Sequence, residues 1–510
     1  MSFTQNTVCR MWTFWIFSFL FVLQGVQAAD ETPSSAAGSV SSTHAEYDGN
    51  ALLLKGHVIL NHGLGKMNAE EAVLQKQETG REFPFSFIHL EKGVSLQLKD
   101  NAELLCDKAD LDFQTLKGSL FAQEEERVVY TDLTGKGTPV KLFGKEVDLE
   151  MSHSEGEDKK SSYHIEAIWA KQAVTLHYDT DFILEAHLAH YRKSPAPHAQ
   201  QQGFADFPGT ITALPQEGGD RCHLHHLGDL IDSTKAEIDL LQRRFTLYHP
   251  IGHLVSSLVP HSANSAMRFH ADTLFWDEPK KSLTLNKNIH VQDSALGTIT
   301  AEEELKLVQE KRGEKSFIKT LATKGKTRLD YLPAGDLTPQ LLMCHGSMRL
   351  DRNKLQALFL SPEIHGVVPE DRQVYYQESR LAALADKGTL DFAVLESQLT
   401  PVSLTLMGNV RLFALGKETP NRCSLADRLV YAPTTRTLIL SSNPGKRVLF
   451  WDEAQALCIS AQEIHITQDP SNEKESIKGV GNVKFSFTSE ESALLHQLFP
   501  FYKKEDSPHE

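Results

Sequence analysis

One phrase recurs along the chain: a Gly, any residue, an aliphatic, any residue, then a second large apolar residue. It reads Gly56, Val58, Leu60; Gly346, Met348, Leu350; Gly408, Val410, Leu412; and Gly481, Val483, Phe485. Looser versions fall at Gly93, Val94, Leu96, at Val174, Leu176 and at Ile289, Val291. Alternation with a period of two is what a half-buried strand requires, because successive side chains point to opposite faces. The Gly marks a bend at strand entry. A second phrase follows after a hairpin's length: Ala, usually an acid, then alternating apolar positions. Copies are Ala69, Glu70, Ala72, Leu74; Ala109, Asp110, Leu111, Phe113; Ala271, Asp272, Leu274, Trp276; and Ala426, Asp427, Leu429, Tyr431. Polar turns then lead to a third short strand, as from Trp276 through Pro279 to Leu283 and Leu285. The pattern predicts an all-β fold of short, evenly spaced strands, an elongated jelly roll or sandwich.

Helical spacing is scarce. Leu494, Leu495, Leu498 and Phe499 predict a short helix in the C-terminal segment 489–510, and Glu378 to Ala385 is a second helical candidate. Breaks in periodicity divide the rest. Met151 to Ser162 reads as a charged loop, and the Pro/Gln/Gly-rich stretch 193–220 as a linker between one β unit at 45–192 and a longer one at 221–488. At the front, Arg10 and the apolar run Met11 to Val22 precede Val26, Gln27 and Ala28, which reads as a cleaved signal peptide over 1–28 followed by a flexible linker over 29–44. The expected product is a soluble, exported protein.

Composition narrows the function classes. A net charge of −15 without a concentrated basic face argues against a nucleic-acid partner. After removal of the leader, Cys106, Cys222, Cys344, Cys423 and Cys458 remain, widely spaced and without a CxxC pair, and they read as isolated buried thiols. Cys423 and Cys458 would pair only if their strands were neighbours. Cys222, His223, His225 and His226 are the one cluster with ligand chemistry, yet the spacing matches no zinc pattern, so no metal is expected. His249, His253 and His261 lie close by in sequence. No nucleophile elbow, phosphate loop or paired-carboxylate signature occurs, and the acid runs Glu124 to Glu126 and Glu302 to Glu304 suit solvated turns. No catalytic residue and no cofactor is therefore expected.

The stretch from Tyr47, Asp48, Gly49, Asn50, Leu52, Leu54, Gly56, Val58 and Leu60 to Asn68, Ala69, Glu70, Ala72 and Leu74 resembles the opening of an OstA-type domain. That domain belongs to the lipopolysaccharide-transport family of LptA and the amino-terminal part of LptD. The segment Met407 to Tyr431 is similar to the same unit. The resemblance implies tandem β-jelly rolls whose apolar interior holds the acyl chains of lipopolysaccharide or a related glycolipid. It also implies end-to-end self-association, or contact with other transport components, at either membrane. The lipid-facing candidates are then the alternating apolar residues Leu52, Leu54, Val58, Leu60, Val94, Leu96, Val174, Leu176, Val410, Leu412, Val483 and Phe485. Two other functions compete: a structural or surface-interaction β-repeat protein without lipid cargo, and a β-helix hydrolase, disfavoured because no acid cluster recurs on a strand face.

Overall fold

A computed structural model describes residues 38–487 except 77–84, 100, 124–125, 134–138, 156–160, 179–180, 194–208, 220, 256–266, 294–295, 313–314, 332–338, 379–380, 396–397, 415–421, 454–455 and 469–474. Its 40 strands form one hydrogen-bonded antiparallel system, and the only helical turns among the described residues are the three-residue 3₁₀ pieces Glu370–Arg372 and Pro433–Thr435. The all-β expectation holds. The helix expected over 489–510 and the leader at 1–28 lie outside the described residues.

The repeating unit is a bent rung. In Ala51–His62 the first arm pairs through Lys55, the register shifts, and pairing resumes at Val58. Gly56 and His57, with φ of 74° and 47°, make the bend in the left-handed region. The same device recurs at Lys92 and Gly93 in Phe85–Leu98, at Gln172 and Ala173 in Ser161–Tyr178, and at Gly408 and Asn409 in Gln398–Ala414. A two-residue bulge of this kind turns the strand sharply, so each strand leaves one layer and enters another. A side chain at the Gly position meets strain whatever the space, which is why the recurring phrase begins with Gly at three of these bends.

The layers become explicit where one strand has two partners. Lys108–Asp112 pairs with Lys117–Phe121, while Ala102–Leu105 pairs with Val128–Asp132. Phe182–Lys193 divides in the same way between Gly209–Leu214 and Cys222–His226, and Arg422–Ala432 between Thr437–Ser441 and Val448–Asp452. Elsewhere the bend interrupts the strand altogether, and a rung is two five-residue pieces, as in Lys235–Asp239 after Asp229–Ser233. Each rung bonds only to the one before and the one after, giving a folded sheet with a crease along one side and a mouth along the other. Strands on both sides of 194–208 belong to this one system: Leu188 to Lys193 pairs with Gly209 to Leu214, which pairs with Lys235–Asp239.

Two local expectations are corrected. Glu378 to Ala385 is not helical: Val374–Glu378 and Leu381–Ala385 form a hairpin pair whose Ala382, Ala383 and Ala385 are buried. Alanine's helix propensity is overridden because a small side chain suits tight packing between layers. Of the stretch Met151 to Ser162 expected as a charged loop, Met151 to Glu155 and Ser161 to Ser162 are strand, within Glu146–Glu155 paired to Ser161–Tyr178, while 156–160 lie outside the described residues.

The interior and its mouth as candidate functional site

Register places the inward side chains in rows that run along the whole fold. Nearest the crease in the second layer, Val58 faces Ala69, Val94 faces Cys106, Val374 faces Ala385, Val410 faces Ala426 and Val448 faces Ala461. The layers converge there, and only small or β-branched residues fit. One step outward the row is large: Leu60 with Met67, Leu96 with Leu104, Leu176 with Leu184, Leu329 with Leu342, Phe450 with Ile459. All of these lie in one buried cluster and are at most 9% exposed. Burying each large aliphatic contributes about 1.5–3 kcal/mol relative to solvent.

The residues singled out from the sequence therefore share two rows. Val58, Val94, Val174 and Val410 lie at the crease, with Leu60, Leu96, Leu176 and Leu412 beside them, all buried. Leu54 is buried in the first layer and Leu52 packs against the core from its edge. Val483 and Phe485 continue the same rows to the last rung, but there they are 38% and 51% exposed, because no further described rung covers them. Between the layers a cavity bounded by Tyr130, Leu142, Leu176, Tyr191, Ile211 and Leu240 has a volume of about 10 Å³, at the threshold for one water. Around it the described side chains of the two rows pack against one another in one buried cluster.

The mouth is closed by contacts between the layers that sequence reading did not find. In the N-terminal part they are aromatic. The buried His62 ring lies 4.1 Å from Phe113 and stacks 5.0 Å from Tyr163. Phe182 stacks on Phe245 at 4.4 Å, His226 meets Trp276 edge-on at 4.5 Å, and the Arg243 guanidinium lies 6.0 Å from the Tyr178 ring. Centroid separations of 4.5–7 Å are the favourable range for such pairs. Burial drives the His62 pKa down from 6.5 to about 4, with Lys99 adding repulsion.

Farther along, the mouth is polar. The Tyr331 hydroxyl donates to Gln340 Oε1 at 2.5 Å, and the Tyr376 hydroxyl donates to Glu378 Oε2 at 2.8 Å. Burial and the neighbouring Glu378 keep both phenols neutral, so they act as donors. Tyr376 reaches across to Tyr431 at 6.2 Å. Gln340 is fully buried, and its Nε2 has no hydrogen-bond partner. At the end, Arg422 donates to Asp452 at 2.8 Å in its own layer and to Glu475 in the other.

The Cys222, His223, His225 and His226 cluster does not converge. It lies on a strand, so Cys222 points inward, His223 and His225 point out, and His226 sits at the mouth against Phe182 and Trp276. Burial pushes the Cys222 thiol up to about 11, which makes it an inert core group. Cys106 and Cys344 occupy equivalent crease positions. The strand Val448–Asp452 lies between Cys423 and Cys458, so the two are not neighbours. Among the described residues no three His, Cys, Asp or Glu side chains are placed to hold a metal ion, and no helix is long and apolar enough to cross a membrane.

No family model matches the chain, and no curated protein matches it. Among solved structures it is similar to LptH of Pseudomonas aeruginosa, described as the LptA-homologous periplasmic component of the lipopolysaccharide transport device. The likeness has 10% identity and a TM-score of 0.19, and covers 42% of this chain and 93% of that one. No residue role crosses over at that level.

Proposed function

We propose that the chain is a non-catalytic periplasmic carrier that holds the acyl chains of lipopolysaccharide or a related glycolipid between its two layers, on the way to the outer membrane. The observation that carries this reading is the pair of mostly apolar rows, from Val58 and Leu60 to Val483 and Phe485, interrupted at the crease by Ser233 and Thr327, which run along the fold and end exposed. Each methylene buried there stabilises a bound acyl chain by about 0.8 kcal/mol. Entry requires the mouth contacts to part, since the rows are packed against one another. The exposed last described rung, with Val480, Val483 and Phe485 and a strand edge that no described residue pairs, suits strand addition by a second copy or another transport component.

A second reading, a dry scaffold without cargo, is favoured by the filled interior. Photo-crosslinking separates the two. A photoreactive residue at Leu60, Leu96 or Leu412 in the full chain, expressed in a lipopolysaccharide-producing cell, is expected to capture glycolipid. Capture at none of the three, together with purified protein free of lipid by native mass spectrometry, overturns the carrier and leaves the scaffold.

A further inference from the structure

The outer face of the second layer carries a groove that the carrier reading does not use. It crosses the strands Cys222–His226, Asp229–Ser233, Ile251–Leu254, Met267–His270 and Ile289–Asp293, which are mutual neighbours. At the usual strand spacing it is about 19 Å across. Its volume is about 600 Å³, within the range of small-ligand sites.

Alternation sends His223 and His225, His253, His270 and His290 out onto this face. Each arrives on a different stretch of chain, and register brings them into two rows: His223, Asp232, Ile251, His270, His290 and, beside it, His225, Leu230, His253, Arg268, Gln292. The groove's charge is sparse. Asp232 is held by His223 Nδ1 at 2.7 Å. Arg268 is exposed, and among the described residues it makes no ion pair or hydrogen bond. The His270 and His290 rings are parallel, 5.0 Å apart. Ile251 and Leu230 are 50% and 37% exposed between the imidazoles.

We infer that this groove binds a sugar bearing one anionic group, a phosphorylated glycan. Neutral imidazoles both donate and accept, which matches sugar hydroxyls, while flat rings and the aliphatic pair cover the C–H faces of a pyranose. Arg268 is the one fixed cation, suited to a single phosphate as a forked donor. A polyanion such as nucleic acid is excluded by the same count, because one arginine on a chain of net charge −15 gives no basic track. A metal ion is disfavoured because no three donors converge. The groove and the interior lie on opposite faces of the same strands, so either reading stands if the other fails.

Titration calorimetry of the full chain with trehalose 6-phosphate, trehalose and inorganic phosphate tests this. The disaccharide phosphate is expected to bind at least tenfold more tightly than either fragment. Arg268→Ala should weaken it by about 10- to 100-fold, the range for a hydrogen bond to a charged group. Arg268→Lys should restore part of the loss, and His253→Ala should weaken trehalose and its phosphate alike. Both side chains point outward, so thermal midpoints should stay unchanged. Inorganic phosphate binding as tightly as the sugar phosphate, an Arg268→Ala protein with unaltered affinity, or tight Zn²⁺ binding lost in His270→Ala without sugar binding each overturns the inference.

Discussion

The two stretches of the mouth close the same gap by different chemistry. From His62 to Trp276 the layers meet through rings, with Phe113, Tyr163, Phe182 and Phe245 stacked or edge-on across the gap. From Tyr331 to Glu475 the mouth is polar: the Tyr331–Gln340 and Tyr376–Glu378 bonds run within one layer, and the layers meet through the Tyr376 and Tyr431 rings and the Arg422–Glu475 ion pair. Ring contacts are less directional than hydrogen bonds, lose area gradually and leave no group unsatisfied when they slide. Hydrogen-bonded contacts are directional, and parting them strands buried donors. The aromatic stretch can therefore breathe with little penalty for small displacements, whereas the Arg422–Glu475 pair is either made or broken.

The comparison can be broken most forcefully at Phe245, which is 2% exposed, stacked on Phe182 and tilted against Trp276. Phe245→Ala is expected to destabilise the chain by about 3–5 kcal/mol in a denaturant titration. A loss below about 1 kcal/mol would mean that the rings do not hold the layers together.

Acid probes the same stretch at His62. The folded chain keeps the imidazole neutral down to about 4, while the unfolded chain protonates it near 6.5. Between those values the unfolded state binds the extra proton, so stability falls as pH drops from about 6.5 to 4, by up to about 3 kcal/mol. Asp229 acts in the opposite sense, since burial raises its carboxyl to about 6 and acid then favours the folded form. Stability measured against pH for His62→Gln in an Asp229→Asn background should lose the acid-dependent drop. A drop that persists in full would place the acid sensitivity elsewhere.

The smallest effect sharpens the polar side. Gln340→Met leaves the Tyr331 hydroxyl without its acceptor and should cost about 1–3 kcal/mol. Adding Tyr331→Phe removes the stranded donor, so the double variant is expected to be more stable than Gln340→Met alone. Strictly additive losses in the double-mutant cycle would show that the hydroxyl and amide act independently.

Much of the fold was legible because its rules are local. Alternation gave the strands, and Gly56, Gly93 and Gly408 marked bends that do sit at the crease. The Gly-x-Val-x-Leu phrase even encodes the two rows, the Val for the narrow crease and the Leu for the wider space beside it. Glu378 to Ala385 misled because its periodicity is short and its alanines are chosen for packing between layers. The mouth was invisible for a different reason. Phe182 and Phe245, or Tyr376 and Tyr431, lie more than fifty residues apart in sequence, and nothing in either neighbourhood names its partner. The outer groove was half visible: His223 and His225 stand together in the sequence, but His253, His270 and His290 join them only through strand register.

The rung that bonds only to its predecessor and successor makes length a free variable of this architecture. One rung out and one back is the smallest piece whose removal restores both the direction of the chain and the side from which it re-enters the crease. Growth by such pairs lengthens the apolar rows without asking any distant residue to change, which is how a 510-residue chain can be assembled from a sentence about a dozen residues long.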